Sequence, residues 1–581
     1  MKARAALAAL TLFFGLWGIR WCLPSKERAA LILPPGLDTP AFHHELQESW
    51  TRMHAALGEN LMTASQELTN FQGLQTTRAG WAYPPDLLQN PVRSFYLRTG
   101  HDDEQTFLLL FGKMRPKSLD FRPRMYLYGG GYLYPLGAWI GAWTLAGVGR
   151  LSHSLEDYLA QPEGLAGLYL SGRLFSLAAL LLGVLLTYRI GLELLPGAGA
   201  FIAASVYALS PAALTQAHFM KQHTLWPLWT MLAFFLCLRI LRVGKTISYA
   251  AAGAAAGGAV GTFSLSVFTC LFIPAAAWIR LRRKEGDLKE ESRGMVFAAL
   301  AAAAVFFLVN PYWLSDWKDV WAELSVQKSY SEFHPLALFR FAAIPLRLAL
   351  TWPVELAAFL GLGLILKERR DDKLMLLASC FVLALLPVYY SAAAYQERGM
   401  RYCMALIPLG GLLAASLLTR LREPLGKRAW AALAAAMGLH LTLSAATASN
   451  NFSAAAGEAS TYRQAGRWLE ENVPEGASIG LWELPRPANA PYFRLDRNSL
   501  SLLDYRDAET LPREKLPDFL VLFQPKLFRR PQALAVLSSY EKVETFERPF
   551  LVPWLRVHWS ETPANPVFEI YRKTQGAYLR P

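Results

Sequence analysis

The run LYLSGRLFSLAALLLGVLLTY, from Leu168 to Tyr188, is long and apolar enough to span a lipid bilayer. Its 21 residues include a single charged side chain, Arg173, and about 20 predominantly apolar residues cross a hydrocarbon core roughly 30 Å thick. Similar runs recur along the 581-residue chain, which is 53% hydrophobic and 18% charged. This composition excludes a disordered or fibrous protein. It predicts a polytopic membrane protein with soluble parts attached.

The apolar runs predict about eleven transmembrane helices, and therefore a mainly α-helical membrane bundle. The predicted spans are Ala5–Cys22, Leu168–Tyr188, Ala200–Gln216, Leu225–Leu241, Ser248–Phe263, Ser266–Ile279, Met295–Tyr312, Thr351–Leu366, Leu374–Tyr390, Tyr402–Leu418 and Ala429–Thr447.

The net charge of +13 indicates the orientation of these spans and not a nucleic-acid partner. Basic residues concentrate in four short loops, around Arg242, Arg283, Arg370 and Arg422, and such loops stay in the cytoplasm. The N-terminus is then cytoplasmic and the C-terminus extracytoplasmic, as in a multi-pass protein of the plasma (inner) membrane. A further apolar run, Tyr132–Val148, would invert this arrangement if it crossed the membrane. We therefore expect it to lie along the outer interface as a re-entrant or juxtamembrane helix.

The topology divides the chain into four parts. We expect an anchor span over 1–23, an extracytoplasmic segment over 24–167, a transmembrane core over 168–448 and a soluble extracytoplasmic domain over 449–581. Apolar periodicity predicts that this last part is a small α/β domain. Its predicted helices are Thr461–Asn472 and Pro531–Tyr540, and its predicted strands are Ala477–Trp482, Pro517–Phe523, Glu541–Arg548 and Val567–Tyr571.

Two outer segments have the composition of a membrane surface. The run Asp120–Tyr134, DFRPRMYLYGGGYLY, has four tyrosines and two arginines. Tyrosine suits a boundary between apolar and wet surroundings, and arginine suits phosphate. In the outer loop Ser315–Pro335, apolar residues recur at helical spacing from Trp317 to Leu324, which predicts an amphipathic interfacial helix.

The acidic sequence His101-Asp102-Asp103-Glu104 lies in the extracytoplasmic segment. Carboxylates are the oxygen ligands that Mg²⁺ prefers, and a positioned carboxylate can also act as a general base. Acids are equally favoured at a helix N-terminus, where they need no catalytic role. Both interpretations stay open from these residues alone.

Basic and imidazole side chains are expected on the same face of the membrane. His218, Lys221 and His223 follow a predicted span, and they suit either a metal or substrate site or a helix end at the membrane surface. Arg401 and Tyr402 enter another span from the outer loop Glu397-Arg398-Gly399-Met400-Arg401-Tyr402. Such an arginine either extends its charge to the interface or binds a lipid phosphate.

Taken in order, these motifs resemble the polytopic membrane glycosyltransferases of the GT-C fold. That group contains the protein O-mannosyltransferases (glycosyltransferase family 39), the lipid A aminoarabinose transferase and the oligosaccharyltransferases. The resemblance covers nearly the whole chain. The matching elements are the Asp103-Glu104 pair, the tyrosine-rich run, Gly172–Ser176, Ser210-Pro211 with His218, Asn310-Pro311-Tyr312, Arg401-Tyr402, and Val473-Pro474 with Gly476.

The resemblance implies transfer of a sugar, with inversion, from a polyprenyl-phosphate-linked donor to an extracytoplasmic acceptor. Asp103 would be the general base, and Glu104 would position the acceptor or a divalent ion. Arg401, with Tyr402, would hold the donor phosphate. Mg²⁺ or Mn²⁺ is implied at Asp103, although His223 stands where family members usually carry a second acid.

The implied partners are the membrane, the lipid-linked donor and a glycan, lipid or protein acceptor, without nucleic acid. Two other functions remain open from the sequence. One is a polytopic transporter or flippase for lipids or sugars, and the other is a glycosyltransferase-like scaffold without catalytic activity.

Overall fold

The computed structural model describes residues 1–57, 86–329, 345–386, 400–502, 514, 516–524, 536–552 and 564–574. Within these ranges the chain is mainly helical. The α-helices are Lys2–Leu16, Lys26–Ala30, Pro40–Leu57, Asp86–Leu97, Asp102–Lys113, Gly130–Leu145, Leu155–Ala160, Pro162–Leu194, Gly199–Ala208, Pro211–Ala217, Leu225–Val243, Thr246–Thr262, Phe272–Arg283, Leu288–Val309, Tyr312–Ser315, Trp317–Ser329, Arg347–Leu350, Trp352–Glu368, Asp372–Ala384, Leu406–Ala455 and Thr461–Asn472. Short 3₁₀ helices occupy Pro116–Ser118, Gln222–Thr224, Ser264–Leu271 and Met400–Cys403.

Several of these helices suit a bilayer. By length and composition, 5 helices of the described ranges could cross a membrane, or up to 6 if the pair Gly199–Ala208 and Pro211–Ala217, bent by 51°, is one span. The long helix Leu406–Ala455 is interrupted at Gly426, where φ is 73° and ψ is 163°, between two predicted spans. The helical membrane class is confirmed, whereas the number of eleven spans stays a prediction. Residues 387–390 of one predicted span lie outside the described residues.

The C-terminal part contains a mixed five-stranded sheet with the strand order β2-β1-β3-β5-β4. β1 (Ser478–Leu481) pairs in parallel with β2 (Ser499–Leu502) and β3 (Phe519–Phe523). β5 (Phe568–Lys573) pairs antiparallel with β3 and with β4 (Tyr540–Phe546). The predicted small α/β fold is confirmed. β2 was not predicted, because its four residues, SLSL, lack the β-branched and aromatic side chains typical of strands.

Two predicted helices of the outer parts have different outcomes. The helix Thr461–Asn472 has the predicted boundaries, and Ser460 caps it by accepting the Arg463 N–H. Residues 531–535 of the predicted helix Pro531–Tyr540 lie outside the described residues, and Tyr540 begins β4.

The two large outer segments share one hydrophobic core. Trp21 and Phe95 from the N-terminal side belong to the same buried cluster as Phe452, Tyr492 and Phe568. Backbone hydrogen bonds cross between them, such as the one from the Leu495 N–H to the Ile32 carbonyl at 3.1 Å. The segments that we expected as separate parts therefore pack against each other around one core.

Candidate active site

The acidic sequence begins the helix Asp102–Lys113, hereafter the acidic helix. His101 is its N-cap, and the His101 Nδ1 accepts the Asp103 N–H at 3.3 Å. Burial, reinforced by the charge of Lys221, lowers the pKa of His101 to about 4, so the ring stays neutral as this acceptor requires. An α-helix turns by about 100° per residue. Asp102, Asp103 and Glu104 therefore point in three directions and meet three different sets of partners.

Glu104 points into the protein and is completely buried. Arg173 binds its carboxylate with two hydrogen bonds, at 2.9 Å from Nε and 2.8 Å from Nη2. The Met220 N–H donates to the Glu104 Oε1 at 2.8 Å, and the Thr99 hydroxyl donates to Oε2. Both carboxylate oxygens are thus engaged by protein donors and are shielded from solvent.

Arg173, the single charge in the span-length run, completes this buried pair. Its Nη1 donates to the carbonyls of Ile19 and Trp21 at 2.7 and 2.8 Å, and the guanidinium lies 5.1 Å from the centre of the Trp21 ring. The Glu104–Arg173 pair thereby joins the end of the first helix, the helix Pro162–Leu194 and the acidic helix.

Asp102 points towards the C-terminal part. Its Oδ2 lies 2.8 Å from the Arg486 Nη1, and its Oδ1 lies 3.8 Å from the Arg98 Nη1. Asp102 therefore links the acidic helix to the C-terminal part and turns away from Asp103.

Asp103 is partly exposed, as Asp102 is, but it lies beside a different set of partners. Its Oδ2 accepts a hydrogen bond from the Lys221 Nζ at 2.5 Å; the Asp103 side chain is 35% exposed and that of Lys221 only 3%. The Tyr128 hydroxyl lies close to this carboxylate and interacts with its charge. Burial alone would raise the pKa of Asp103, but the positive charges of Lys221 and Arg401 outweigh it and hold the pKa well below its usual range.

The segment that carries Lys221 also places two histidines, in different surroundings. His218 is buried; its Nδ1 and Nε2 lie 2.7 and 3.0 Å from the carbonyls of Leu214 and Trp17, and its ring stacks on Phe452. Both of its nitrogens are thus used within the fold. His223 is also buried, with its Nδ1 lacking a hydrogen-bond partner among the described residues.

Arg401 and Tyr402 complete the cluster around Asp103 and Lys221, hereafter the open side. The Arg401 Nη2 donates to the Tyr402 hydroxyl at 3.2 Å, and the guanidinium lies 5.0 Å from the centre of that ring. The Arg401 charge acts on Asp103, Tyr128 and His223. The structure therefore brings Asp103, Lys221, His223 and Arg401 together. Glu397, Arg398 and Gly399 lie outside the described residues.

Two contributions to this site were not assigned from the sequence. Arg173 stood out as a lone charge in an apolar run, but its partner is 69 residues away. Tyr128 belongs to the tyrosine run. The two residues after it, Gly129 and Gly130, must be glycines because the backbone packs closely there. A Cβ at Gly129 would lie 2.0 Å from the Gly261 carbonyl oxygen, and one at Gly130 would lie 1.9 Å from that of Val309.

The site has few of the ligands that a metal needs. Within the ranges that the structure describes, no group of three or more His, Cys, Asp or Glu side chains is arranged to hold a metal ion. The Lys221 ammonium already contacts Asp103, the carboxylate expected to bind Mg²⁺ or Mn²⁺. The described residues therefore do not fit a divalent cation on Asp103.

No protein-family model matches this chain, and no curated protein matches it by sequence. Its fold is similar to those of three solved membrane proteins. The crystal structure of the Archaeoglobus fulgidus oligosaccharyltransferase in complex with Zn and sulfate has 15% sequence identity and a TM-score of 0.40. The match covers 73% of this chain and 64% of the oligosaccharyltransferase. The present chain therefore spans less than two thirds of the length of that protein.

The archaeal oligosaccharyltransferase AglB from the same organism, in complex with an inhibitory peptide and a dolichol-phosphate, has 12% identity and a TM-score of 0.42. The match covers 92% of this chain and 75% of that chain. ArnT from Cupriavidus metallidurans, bound to undecaprenyl phosphate, also has 12% identity and a TM-score of 0.42, over 81% of this chain and 93% of that chain. At these values the similarity is one of fold.

Proposed function

We propose that the protein is a membrane glycosyltransferase that transfers a sugar from a polyprenyl-phosphate-linked donor to an extracytoplasmic acceptor. One observation carries the proposal: the partly exposed carboxylate of Asp103 has the cations Lys221 and Arg401 beside it. A carboxylate next to an anion-binding surface is what a transfer reaction with a phosphate leaving group requires.

The charges at this site favour an anionic ligand. Among the described residues, Lys221 and Arg401 lie near Asp103, whereas the charge of Glu104 is neutralised by Arg173. A divalent cation placed here would be repelled by Lys221 and Arg401, whereas a phosphate monoanion or dianion would be attracted. Arginine can bind two phosphate oxygens at once, and lysine acts as a point charge. We assign the donor phosphate to Arg401 and Lys221, with Tyr402 supporting Arg401.

The reaction that fits is a single displacement with inversion. The acceptor hydroxyl attacks the anomeric carbon from the face opposite the phosphate, and a new C–O bond forms. The bond between that carbon and the phosphate oxygen breaks, and its electron pair leaves with the polyprenyl phosphate. The acceptor proton passes to the Asp103 carboxylate, which is ionised at neutral pH because Lys221 and Arg401 lower its pKa.

We assign different roles to the acids and histidines of the site. Asp103 faces the reacting groups, and Glu104, bound by Arg173, fixes the start of the acidic helix that carries Asp103. Asp102 and His218 hold neighbouring parts of the fold together. His223 is buried beside the cationic cluster, where its uncommitted Nδ1 suits a contact to the donor.

The test is sugar transfer by the purified full-length protein in lipid bicelles. Undecaprenyl-phosphate and dolichol-phosphate sugars serve as donors, with radiolabel in the sugar. We expect wild-type transfer, and its loss in Asp103→Asn and Arg401→Met. Asp102→Asn is the matched control, because it changes the neighbouring acid without touching the open side.

The competing functions give other results when the protein is reconstituted in proteoliposomes. Movement of labelled donor across proteoliposomes without glycosylated product would support a transporter. Donor binding without transfer or transport would support a scaffold. Transfer that is unchanged in Asp103→Asn would contradict the site assignment.

We further propose the eleven-span topology with a cytoplasmic N-terminus and an extracytoplasmic C-terminus, in the plasma (inner) membrane. Reporter fusions after Val148 and Leu241 test it. An extracytoplasmic signal after Val148 and a cytoplasmic signal after Leu241 are expected. The reverse signal after Leu241 would overturn the topology.

A further inference from the structure

The helix Trp317–Ser329, hereafter the interfacial helix, has two contrasting faces. Trp317 and Trp321 are 60% and 68% exposed, as expected for a helix at a membrane surface. On another side of the helix Val320 and Glu323 are buried, Glu323 to 3% exposure. Burying a carboxylate is costly unless it is hydrogen-bonded, so the position of Glu323 requires an explanation.

The partners of Glu323 are two consecutive backbone groups of the tyrosine run. Its Oε2 accepts the N–H of Tyr126 at 2.7 Å and that of Leu127 at 3.0 Å. Its Oε1 is buried and has no hydrogen-bond partner among the described residues. The side chain thus holds the backbone directly before Tyr128.

The segment leading into the interfacial helix holds the same run at further points. The Asn310 Oδ1 accepts the Gly130 N–H at 2.8 Å, and the Tyr312 hydroxyl accepts the Phe121 N–H at 3.1 Å. The Tyr126 hydroxyl donates to Asp316. The tyrosine run is therefore clamped on both sides of Tyr128.

Tyr128 connects this clamp to the active site. Its hydroxyl lies beside the Asp103 carboxylate, and it is close enough to Arg401 to interact with that charge. The backbone after Tyr128 has little freedom, because Gly129 and Gly130 pack directly against the carbonyls of Gly261 and Val309. Before Tyr128, the two hydrogen bonds to Glu323 fix the chain.

We propose that Glu323 is a positioning residue, which sets the Tyr128 hydroxyl against Asp103 and so orients the carboxylate for transfer. This inference rests on the proposed function. It adds that the interfacial helix controls the geometry of the site through the backbone of the tyrosine run.

The activity test is a double-mutant cycle in the full-length protein, because such a cycle isolates the coupling between two residues. We expect Glu323→Ala and Tyr128→Phe each to lower kcat at least about tenfold, with a smaller change in KM, since small displacements of catalytic groups are costly. In the Tyr128→Phe background, Glu323→Ala should have little further effect. Glu323→Gln should restore most of the rate, because its amide oxygen can accept both N–H groups.

A second measurement does not depend on activity. Fluorotyrosine incorporated at position 128 gives a ¹⁹F resonance that reports the surroundings of the hydroxyl. We expect Asp103→Asn and Glu323→Ala to shift this resonance, and Glu323→Gln to leave it in place. Glu323→Asp, which withdraws the carboxylate by one methylene, replaces the alanine variant if that variant does not fold.

The two measurements separate failure of this inference from failure of the proposed function. Absence of sugar transfer in the wild-type protein would contradict the proposed function, and the ¹⁹F shifts would still report whether Glu323 positions Tyr128. An unshifted resonance in Glu323→Ala, or fully additive effects in the cycle, would overturn the positioning role.

Discussion

Two neighbouring acids of the acidic helix form ion pairs of opposite character. Glu104 and Arg173 are completely buried and share two hydrogen bonds. Asp103 and Lys221 share one, at 2.5 Å, and the carboxylate is 35% exposed. Lys221 itself is buried, so the second pair has a closed cationic side and an open anionic side.

This difference separates a structural pair from a reactive one. In the buried pair every oxygen is occupied, so removing one partner leaves an uncompensated charge inside the protein. In the open pair the Asp103 carboxylate is partly exposed and can therefore reach a substrate, while the lysine keeps the group ionised. Adjacent acids of the same type therefore serve different purposes because their surroundings differ.

The largest effect is expected from breaking the buried pair. Glu104→Ala leaves the Arg173 guanidinium buried without its carboxylate, which costs about 3–5 kcal/mol in unfolding free energy. The thermal midpoint in detergent should fall steeply. The double variant Glu104→Met with Arg173→Met should recover much of the loss. A single variant with wild-type stability would contradict the structural role.

The open pair should show the opposite pattern. Asp103→Asn should lower the transfer rate about a hundredfold or more, because a positioned proton acceptor is lost. Its effect on stability should be smaller than that of Glu104→Ala, because the Asp103 side chain is partly exposed and the asparagine oxygen can still accept a hydrogen bond from Lys221. Rate and thermal midpoint measured on one preparation test both statements. If Asp103→Asn were as unstable as Glu104→Ala, the two ion pairs would not differ in their structural role.

Replacing Lys221 tests the cationic side of the open pair. Lys221→Met removes one of the two cations, so we expect about tenfold weaker binding of polyprenyl phosphate, which is roughly 1.4 kcal/mol. The pKa of Asp103 should rise, because the charge that lowers it is gone, and the rate should then fall at a higher pH on the acid side. Chelators should leave the wild-type rate unchanged, and full dependence on Mg²⁺ or Mn²⁺ would contradict the assignment of Lys221.

A smaller effect is expected at Glu323, in the interfacial helix. Burial, reinforced by the charge of Asp319, raises the pKa of Glu323 to about 7 from its ordinary 4.5. The folded state therefore favours the protonated acid, and this stabilisation is present below about pH 4.5 and lost as the pH rises through about 7. Between pH 5 and 8, wild-type stability should decrease by about 1–3 kcal/mol relative to Glu323→Gln. Parallel pH profiles of the two proteins would contradict this expectation.

Several features of the fold were predictable because each depends on a local pattern. Apolar runs of bilayer length predicted the membrane helices, and the periodicity of Thr461–Asn472 predicted that helix with its boundaries. The strand β2 was missed because its short polar sequence is defined only by pairing with β1. The shared core of the two outer segments was also unpredictable, because Phe95 and Tyr492 meet over a separation of nearly 400 residues.

The sequence by itself determined that this is a helical membrane protein with a small C-terminal sheet, and it drew attention to Asp103, Lys221, His223 and Arg401. Such statements need only composition, spacing and the positive-inside rule. The three acids differ in their partners, and those partners come from the tertiary structure: Glu104 is buried against Arg173, Asp102 pairs with Arg486, and Asp103 pairs with Lys221. The direction of each side chain depends on partners brought from distant helices, and their contacts set burial and charge at the site.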